Sequence, residues 1–415
     1  MDHLLVRVLD LDRVEFPDGR PGGGTPFLHY RGLLHSHRRA TAGGLGDDQV
    51  AEIVTRLDDR VAAVAGRGFR ATPFGRDDLL SERLGFGVGG GVWVKDETGN
   101  VSGSHKGRHL MGVLLHLEVS ERLGLADPAV RPDLAIASCG NAALAAAVVA
   151  RAADRRLRVF VPVDADPVVV ADLHALGADV VTCPREPGAS GDPAYAHLRA
   201  AVADGAVPFT CQGNENGLVI EGGQTLAYEM ASVLSAEGTD LDHLVVQVGG
   251  GALASACIAG LDESVRLRVL HHRPRVHTVQ TTGGHPLERA YARVRDGLPA
   301  DPTASQVEAA LHQAASHRSR FMWPWESEPH SIATGILDDE TYDWRAVVAG
   351  MLATGGRPLV VTEQRLARAH ELGHEAGYAV DPTGSAGLAG LLDLVATGEV
   401  GPGDRVGVLF TGVDR

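Results

Sequence analysis

Lysine is nearly missing from this chain. Among 415 residues it occurs only at Lys95 and Lys106, and arginine supplies the remainder of the 38 basic side chains. Arginine cannot act as a nucleophilic amine at neutral pH, so any amine chemistry is confined to those two positions. Cysteine is scarce as well: Cys139, Cys183, Cys211 and Cys257 are widely spaced and form no CxxC pair. Neither a zinc knuckle nor a disulfide framework is indicated, and a reducing, cytoplasmic setting is expected. Aromatics make up only 5%, and 53 acidic residues against 38 basic ones leave a net charge of −15. Neither nucleic acid nor an anionic membrane is an expected partner of such a surface. The longest apolar stretch, Leu134 to Ala150, is interrupted by Ser138, Gly140 and Asn141 and is too short to span a bilayer. The opening MDHLLVRVLDLDRVEF has acids and arginines in every apolar run, so no secretory signal is expected there.

What the chain does have is core material, with 44% hydrophobic and 22% charged residues. From about residue 90, short apolar runs alternate with helix-like segments. Gly91–Lys95, Leu134–Ala137, Leu157–Pro162, Asp179–Thr182, Leu244–Val248, Val276–Thr281, Pro358–Thr362 and Arg405–Thr411 read as strands. Helices are expected over Asp48–Ala65, His109–Leu123, the Ala-rich stretch to Ala153, and the run to Leu176. Pro184–Pro193 and Leu298–Ser327 read as loops or mixed surface structure. Such alternation predicts an α/β fold with two open, twisted, mainly parallel sheets flanked by helices. We expect a larger domain from residues 1–105 plus 206–415, a smaller one from 106–205, and the ligand in the cleft between them.

Three loops point to one chemistry. Ser102-Gly-Ser-His-Lys106 joins a strand to a helix, so Lys106 sits at a helix N-terminus, where the dipole disfavours an ammonium and favours a reactive amine. Ser138-Cys139-Gly140-Asn141-Ala142 lies at a second such junction, where backbone N–H groups suit a carboxylate; a simple helix cap is the alternative. Gly249-Gly250-Gly251-Ala252 follows a third strand and has the mechanics of a phosphate cradle, without the GK[ST] of a nucleotide loop. A tight packing turn is the competing reading. An amine, a carboxylate nest and a phosphate nest are together the set that a pyridoxal 5'-phosphate enzyme needs.

The same residues carry a family resemblance. Phe27-Leu-His-Tyr30, Ala71-Thr-Pro-Phe74, Lys95-Asp-Glu97, Gly103-Ser-His-Lys106, Ser138-Cys-Gly-Asn141, Glu221-Gly-Gly-Gln-Thr225, Gly249–Ala252, Asp381-Pro-Thr-Gly-Ser385 and Leu409-Phe-Thr-Gly412 follow one another in order. The chain resembles the tryptophan synthase β-subunit-like, fold type II, pyridoxal-phosphate enzymes, closest to threonine synthase and the serine/threonine dehydratases. That resemblance implies that Lys106 bonds the cofactor and moves the substrate's α-proton. It implies Asn141 at the cofactor's phenolic oxygen, Ser138–Ala142 around the substrate carboxylate, Gly249–Ala252 at the phosphate and Thr411 facing the pyridine nitrogen. It further implies a homodimer acting on a substituted L-amino acid, with elimination or replacement at the β or γ carbon; no metal is expected at the site. Threonine synthases typically carry Phe and Asp around the lysine; here His105 and Gly107 stand there, and the His–Lys pair is more like the tryptophan synthase β subunit.

One motif competes. His370-Glu371-Leu-Gly-His374 satisfies HExxH, which on a helix would place two histidines on one face for zinc with Glu371 as base. A zinc metallopeptidase is the alternative function. Against it, Val380 stands where the extended motif needs a third histidine, and Gly373 and Gly377 weaken the helix. Gly85–Gly90 fits GxGxxG but precedes its strand, so no dinucleotide role is expected. His271, His272 and His277 straddle a turn and a strand and are expected to be packed or solvated.

Overall fold

The computed structural model describes residues 9–185 and 191–415. These fall into two compact units. Unit 1 holds Thr72–Gly99 and Leu226–Arg415; unit 2 holds the described residues through Ala71 together with Asn100–Thr225. In chain order the strands are β1 (Phe74–Asp77), β2 (Gly91–Asp96), β3 (Leu134–Ala137), β4 (Leu157–Pro162), β5 (Asp179–Cys183), β6 (Val207–Pro208), β7 (His243–Gln247), β8 (Arg275–Thr281), β9 (Pro358–Val361) and β10 (Arg405–Phe410).

Unit 1 is built on a six-stranded sheet in the order β1-β2-β10-β7-β8-β9. Every pairing is parallel except β1 with β2. The interior strands β2, β10, β7 and β8 are buried almost throughout, as expected for parallel strands covered on both faces. Their core continues through Leu388, Leu391 and Leu394 of the helix Ala386–Ala396. Short, half-exposed β1 closes one edge. Its last residue, Asp77, accepts the Leu80 N–H at 2.8 Å and so starts the helix Asp78–Arg83.

Unit 2 has a four-stranded, all-parallel sheet in the order β5-β4-β3-β6. The Ala-rich helix Asn141–Ala152 links β3 to β4 and is buried along nearly its whole length. Its small side chains let the helices Asp47–Ala65 and Lys106–Arg122 pack against it.

The segment Leu298–Ser327, read above as loop or mixed structure, contains the helix Ala304–Ser316. A capping box starts it: Gln306 N donates to Thr303 Oγ at 3.3 Å, and Thr303 N donates to Gln306 Oε1 at 2.8 Å. Of the expected loop Pro184–Pro193, residues 186–190 lie outside the described residues. No helix among the described residues is long and apolar enough to cross a membrane.

Candidate active site

In each sheet the direction of strand addition reverses once. Unit 2 runs β3, β4, β5 to one side and places β6 on the other; unit 1 runs β7, β8, β9 one way with β10 on the opposite flank. Ligands in open parallel sheets bind beyond the carboxyl ends of the strands at such a reversal. The residues singled out from the sequence lie at these two points.

In unit 2, β3 ends at Ala137 and Ser138–Gly140 lead into the helix that begins with Asn141. Cys139 is exposed, while Ser138, Gly140, Asn141 and Ala142 are half-buried, above a largely buried strand and helix. No side chain caps that helix at Gly140, and a helix N-terminus is a favourable place for an anion. Adjacent β6 runs on into Cys211, whose Sγ donates to the Lys106 carbonyl at 3.9 Å. The 3-10 turn Val101–Gly103 packs on the same Asn141–Ala152 helix. The lysine segment and the helix that follows Ser138–Gly140 are therefore brought together within one unit. Lys106 is itself the first residue of the helix Lys106–Arg122, three positions earlier than the periodicity predicts. Ser102 (φ 57°) and Gly103 (φ 67°) are both left-handed in the approach. A non-glycine residue held in that region marks a loop constrained by its surroundings.

The lysine helix is seated against Glu221-Gly-Gly-Gln-Thr225. A Cβ on Gly222 would lie 2.1 Å from the Arg108 carbonyl, so only glycine permits the two backbones to meet. Arg108 is buried and donates to Thr225 Oγ at 3.0 Å. His109 Nδ1 lies 2.7 Å from the Val219 carbonyl.

In unit 1, Gly249–Gly251 follow β7, and Thr411 follows the neighbouring β10. Gly251 adopts φ 100° and opens the helix Ala252–Arg266, which again has no side-chain cap. The glycines also answer to packing. A Cβ on Gly249 would meet Asp338 Oδ2 at 2.4 Å, and one on Gly250 would meet the Tyr342 ring at 3.0 Å. Both readings of this loop thus have a physical basis: close packing on one side and a helix start without a side-chain cap at its end. Thr411 is buried, and Gln247 Nε2 donates to its Oγ at 2.7 Å as well as to the carbonyls of Gly384 (2.8 Å) and Leu409 (3.1 Å). Gln247 was not singled out from the sequence, where it is one polar residue in an apolar strand.

The second lysine is accounted for structurally. Lys95 is fully buried in unit 1; its Nζ donates to Glu229 Oε2 at 2.5 Å and to the Thr72 carbonyl at 2.8 Å, with Glu97 Oε1 at 3.9 Å. An ammonium enclosed by two carboxylates and a carbonyl serves as a cross-link. Half-buried Lys106 is the remaining amine.

The competing histidines behave as follows. His277 is buried in β8 and stacks on His243, while His271 lies 3.0 Å from Asp240 Oδ2, so the three do not converge. His370 and His374 do share a helix face, but Glu371 is turned to solvent and pairs with Arg368 at 3.1 Å. It is not placed as the base of a peptidase.

Comparison with known proteins decides the family. The sequence profile of the "Pyridoxal-phosphate dependent enzyme" family matches residues 67–412. The chain belongs to that family. Its curated relatives include the threonine synthase of Methanosarcina acetivorans, 26% identical over 346 residues that cover 82% of this chain and 74% of the relative. Among solved structures, the processed form of threonine deaminase isoform 2 from Solanum lycopersicum superposes with a TM-score of 0.62 at 16% identity, covering 100% of this chain and 96% of that one. An L-serine ammonia-lyase from Rhizomucor miehei gives a TM-score of 0.59 at 19% identity, with 83% and 94% covered. The fold is that of the fold type II enzymes, and pyridoxal phosphate is the cofactor of the family. Nothing in these comparisons supports a peptidase.

Two uncapped helix N-termini, a half-buried lysine at a third, and a buried hydroxyl beside a glycine cradle are features that suit this cofactor.

Proposed function

We propose that this protein is a lyase or synthase that eliminates or replaces a group at the β or γ carbon of a small L-amino acid. The cofactor, when bound, supplies the electron sink for charge developing at the substrate's Cα. Lys106 bonds the cofactor and then, as a free amine, takes and returns the proton at Cα. The N–H groups of Ser138, Cys139, Gly140, Asn141 and Ala142 hold the substrate carboxylate, helped by the dipole of the Asn141–Ala152 helix. The Asn141 amide orients the phenolic oxygen, and Gly249, Gly250, Gly251 and Ala252 hold the phosphate.

The observation that carries this reading is the Gln247–Thr411 hydrogen bond. Gln247 donates to the Thr411 oxygen and so holds in place the neutral hydroxyl that the family resemblance puts at the pyridine nitrogen. A neutral donor leaves that nitrogen unprotonated and the electron sink moderate. Such a site favours prompt loss of a leaving group over transamination. Four cysteines that form no disulfide support a cytoplasmic location, and the family resemblance supports a homodimer and an amino-acid substrate.

The test is spectroscopic and chemical. Purified protein should absorb in the visible, and borohydride should bleach that band and fix the cofactor to Lys106 in a peptide map. A screen of L-serine, L-threonine and O-phospho-L-homoserine for ammonia, 2-oxo acid or phosphate release then separates the outcomes. Cofactor fixed at another residue, or no product from any β- or γ-substituted amino acid, would overturn the reading.

A further inference from the structure

The HExxH segment has a use that the family chemistry does not absorb. The helix Glu363–Glu375 buries Leu366, Ala369, Leu372 and Gly373, and its other face carries His370 and His374 one turn apart. Their ring centroids are 4.4 Å apart. A third group arrives from the far end of the chain. After β10 the backbone pairs with the segment that follows the helix: Val413 bridges Val380 in antiparallel fashion, Asp381 N donates to the Gly412 carbonyl at 2.9 Å, and Asp414 N donates to the Ala379 carbonyl at 3.0 Å. These bonds fix Asp414 over the last turns of the helix. Its Oδ2 lies 3.8 Å from His370 Nε2 and 3.6 Å from His374 Nε2.

We propose that His370, His374 and Asp414 form a binding site for one divalent transition-metal ion, with zinc the best match. One ligand atom from each of the three lies within 4.8 Å of the others. Bonds of about 2.0–2.2 Å in a tetrahedral site set ligand separations at roughly 3.3–3.6 Å. Small side-chain rotations close the remaining gap. His370 Nε2 is shielded from solvent and has no hydrogen-bond partner, a cost that a metal bond removes. His374 Nε2 lies 3.0 Å from the Val380 carbonyl and exchanges that contact for the ion. Two imidazoles and a carboxylate suit zinc over magnesium or calcium, which take oxygen ligands, and leave a fourth position for water. Asp414 and His374 are 45% and 43% exposed at their side chains, so the ion can enter. With Glu371 turned away, the site is a clasp: it ties the segment after β10 to the helix.

Isothermal titration of zinc chloride into tag-free, cofactor-loaded protein tests this. A single ion should bind per chain, and zinc should raise the melting temperature. His370→Gln, His374→Gln and Asp414→Asn should each weaken binding at least about tenfold, the loss that even outer-shell partners of a metal site impose. Glu371→Gln serves as the control and should bind as the parent does. Circular dichroism of each variant establishes that it is folded, and Asp414→Asn, on an exposed segment, is the mildest of the three. No binding at millimolar zinc would overturn the proposal. So would binding that survives all three substitutions, which would place the ion elsewhere.

Discussion

Replacing Lys95 by methionine tests whether this lysine is a cross-link or a reagent. The side chain is 0% exposed, and so is Glu97, while Glu229 is 2% exposed. Removing the ammonium leaves the Glu97 and Glu229 carboxylates buried without the cation they share. Thr72 still donates to them, through N to Glu229 at 3.1 Å and through its hydroxyl to Glu97. Loss of one partner from a buried pair costs about 3–5 kcal/mol, because the surviving charge is left uncompensated. No discount for solvent screening applies at this depth. The double variant Lys95→Met/Glu229→Gln removes one of the stranded charges and should recover about 1–3 kcal/mol relative to the sum of the single changes. Urea unfolding followed by tryptophan fluorescence is the assay: Trp93, Trp323, Trp325 and Trp344 are the only four tryptophans and all belong to unit 1. The Lys95→Met protein that remains folded should still bind pyridoxal phosphate. A cost below about 1 kcal/mol, or loss of cofactor with an unchanged unfolding midpoint, would refute the reasoning and assign chemistry to Lys95.

Three further outcomes are expected. Gly222→Ala pushes a Cβ to 2.1 Å from the Arg108 carbonyl, two residues from Lys106. It should cost at least about 1–3 kcal/mol through overpacking and weaken cofactor binding, read by absorbance titration. Gln247→Leu removes the donor to Thr411 and should lower turnover more than cofactor affinity, which steady-state kinetics and titration together resolve. His277 is held at about 4 from the ordinary 6.5, first by burial and then by neighbouring His243. The unfolded chain therefore takes up this proton below about pH 6.5 while the folded one does not. Its contribution to stability is intact above that pH and is lost as pH falls toward 4. His277→Gln should flatten this part of the stability profile relative to the parent in urea titrations at pH 7, 6 and 5, and an unchanged slope would count against it.

Local pattern made most of the sheets legible. The runs at Leu134–Ala137 and Leu157–Pro162 are strands to the residue, and Val276–Thr281 misses by one, because buried parallel strands are continuous apolar segments between turns. The Ala304–Ser316 helix was not legible: it is short, surface-lying and only weakly periodic, although Thr303 and Gln306 have the spacing of its capping box. Partners far apart in sequence could not be read either. Lys95 meets Glu229 across 134 positions, and Gln247 meets Thr411 across 164. Neither residue type announces such a bond. Asp414 is the same case, since the HExxH pattern asks for a third ligand downstream but cannot indicate that a strand folds back to supply it.

The site follows from topology as much as from motif. A parallel sheet offers ligand positions where strand addition reverses, because the two loops leaving adjacent carboxyl ends there turn to opposite faces and open a crevice. In unit 2 those loops carry Ser138–Ala142 and Cys211, and Cys211 touches the Lys106 backbone. In unit 1 they carry Gly249–Ala252 and Thr411, joined by Gln247. Each unit thus presents one uncapped helix N-terminus and one single-residue function, an amine in one and a hydroxyl in the other. In the proposed site anion binding falls to the backbone, which any small residue can supply, and so tolerates sequence drift. The amine cannot drift in a chain with two lysines, one of them buried in an ion pair. Composition narrowed the amine to Lys95 and Lys106, and the burial of Lys95 in the structure leaves Lys106 as the remaining one.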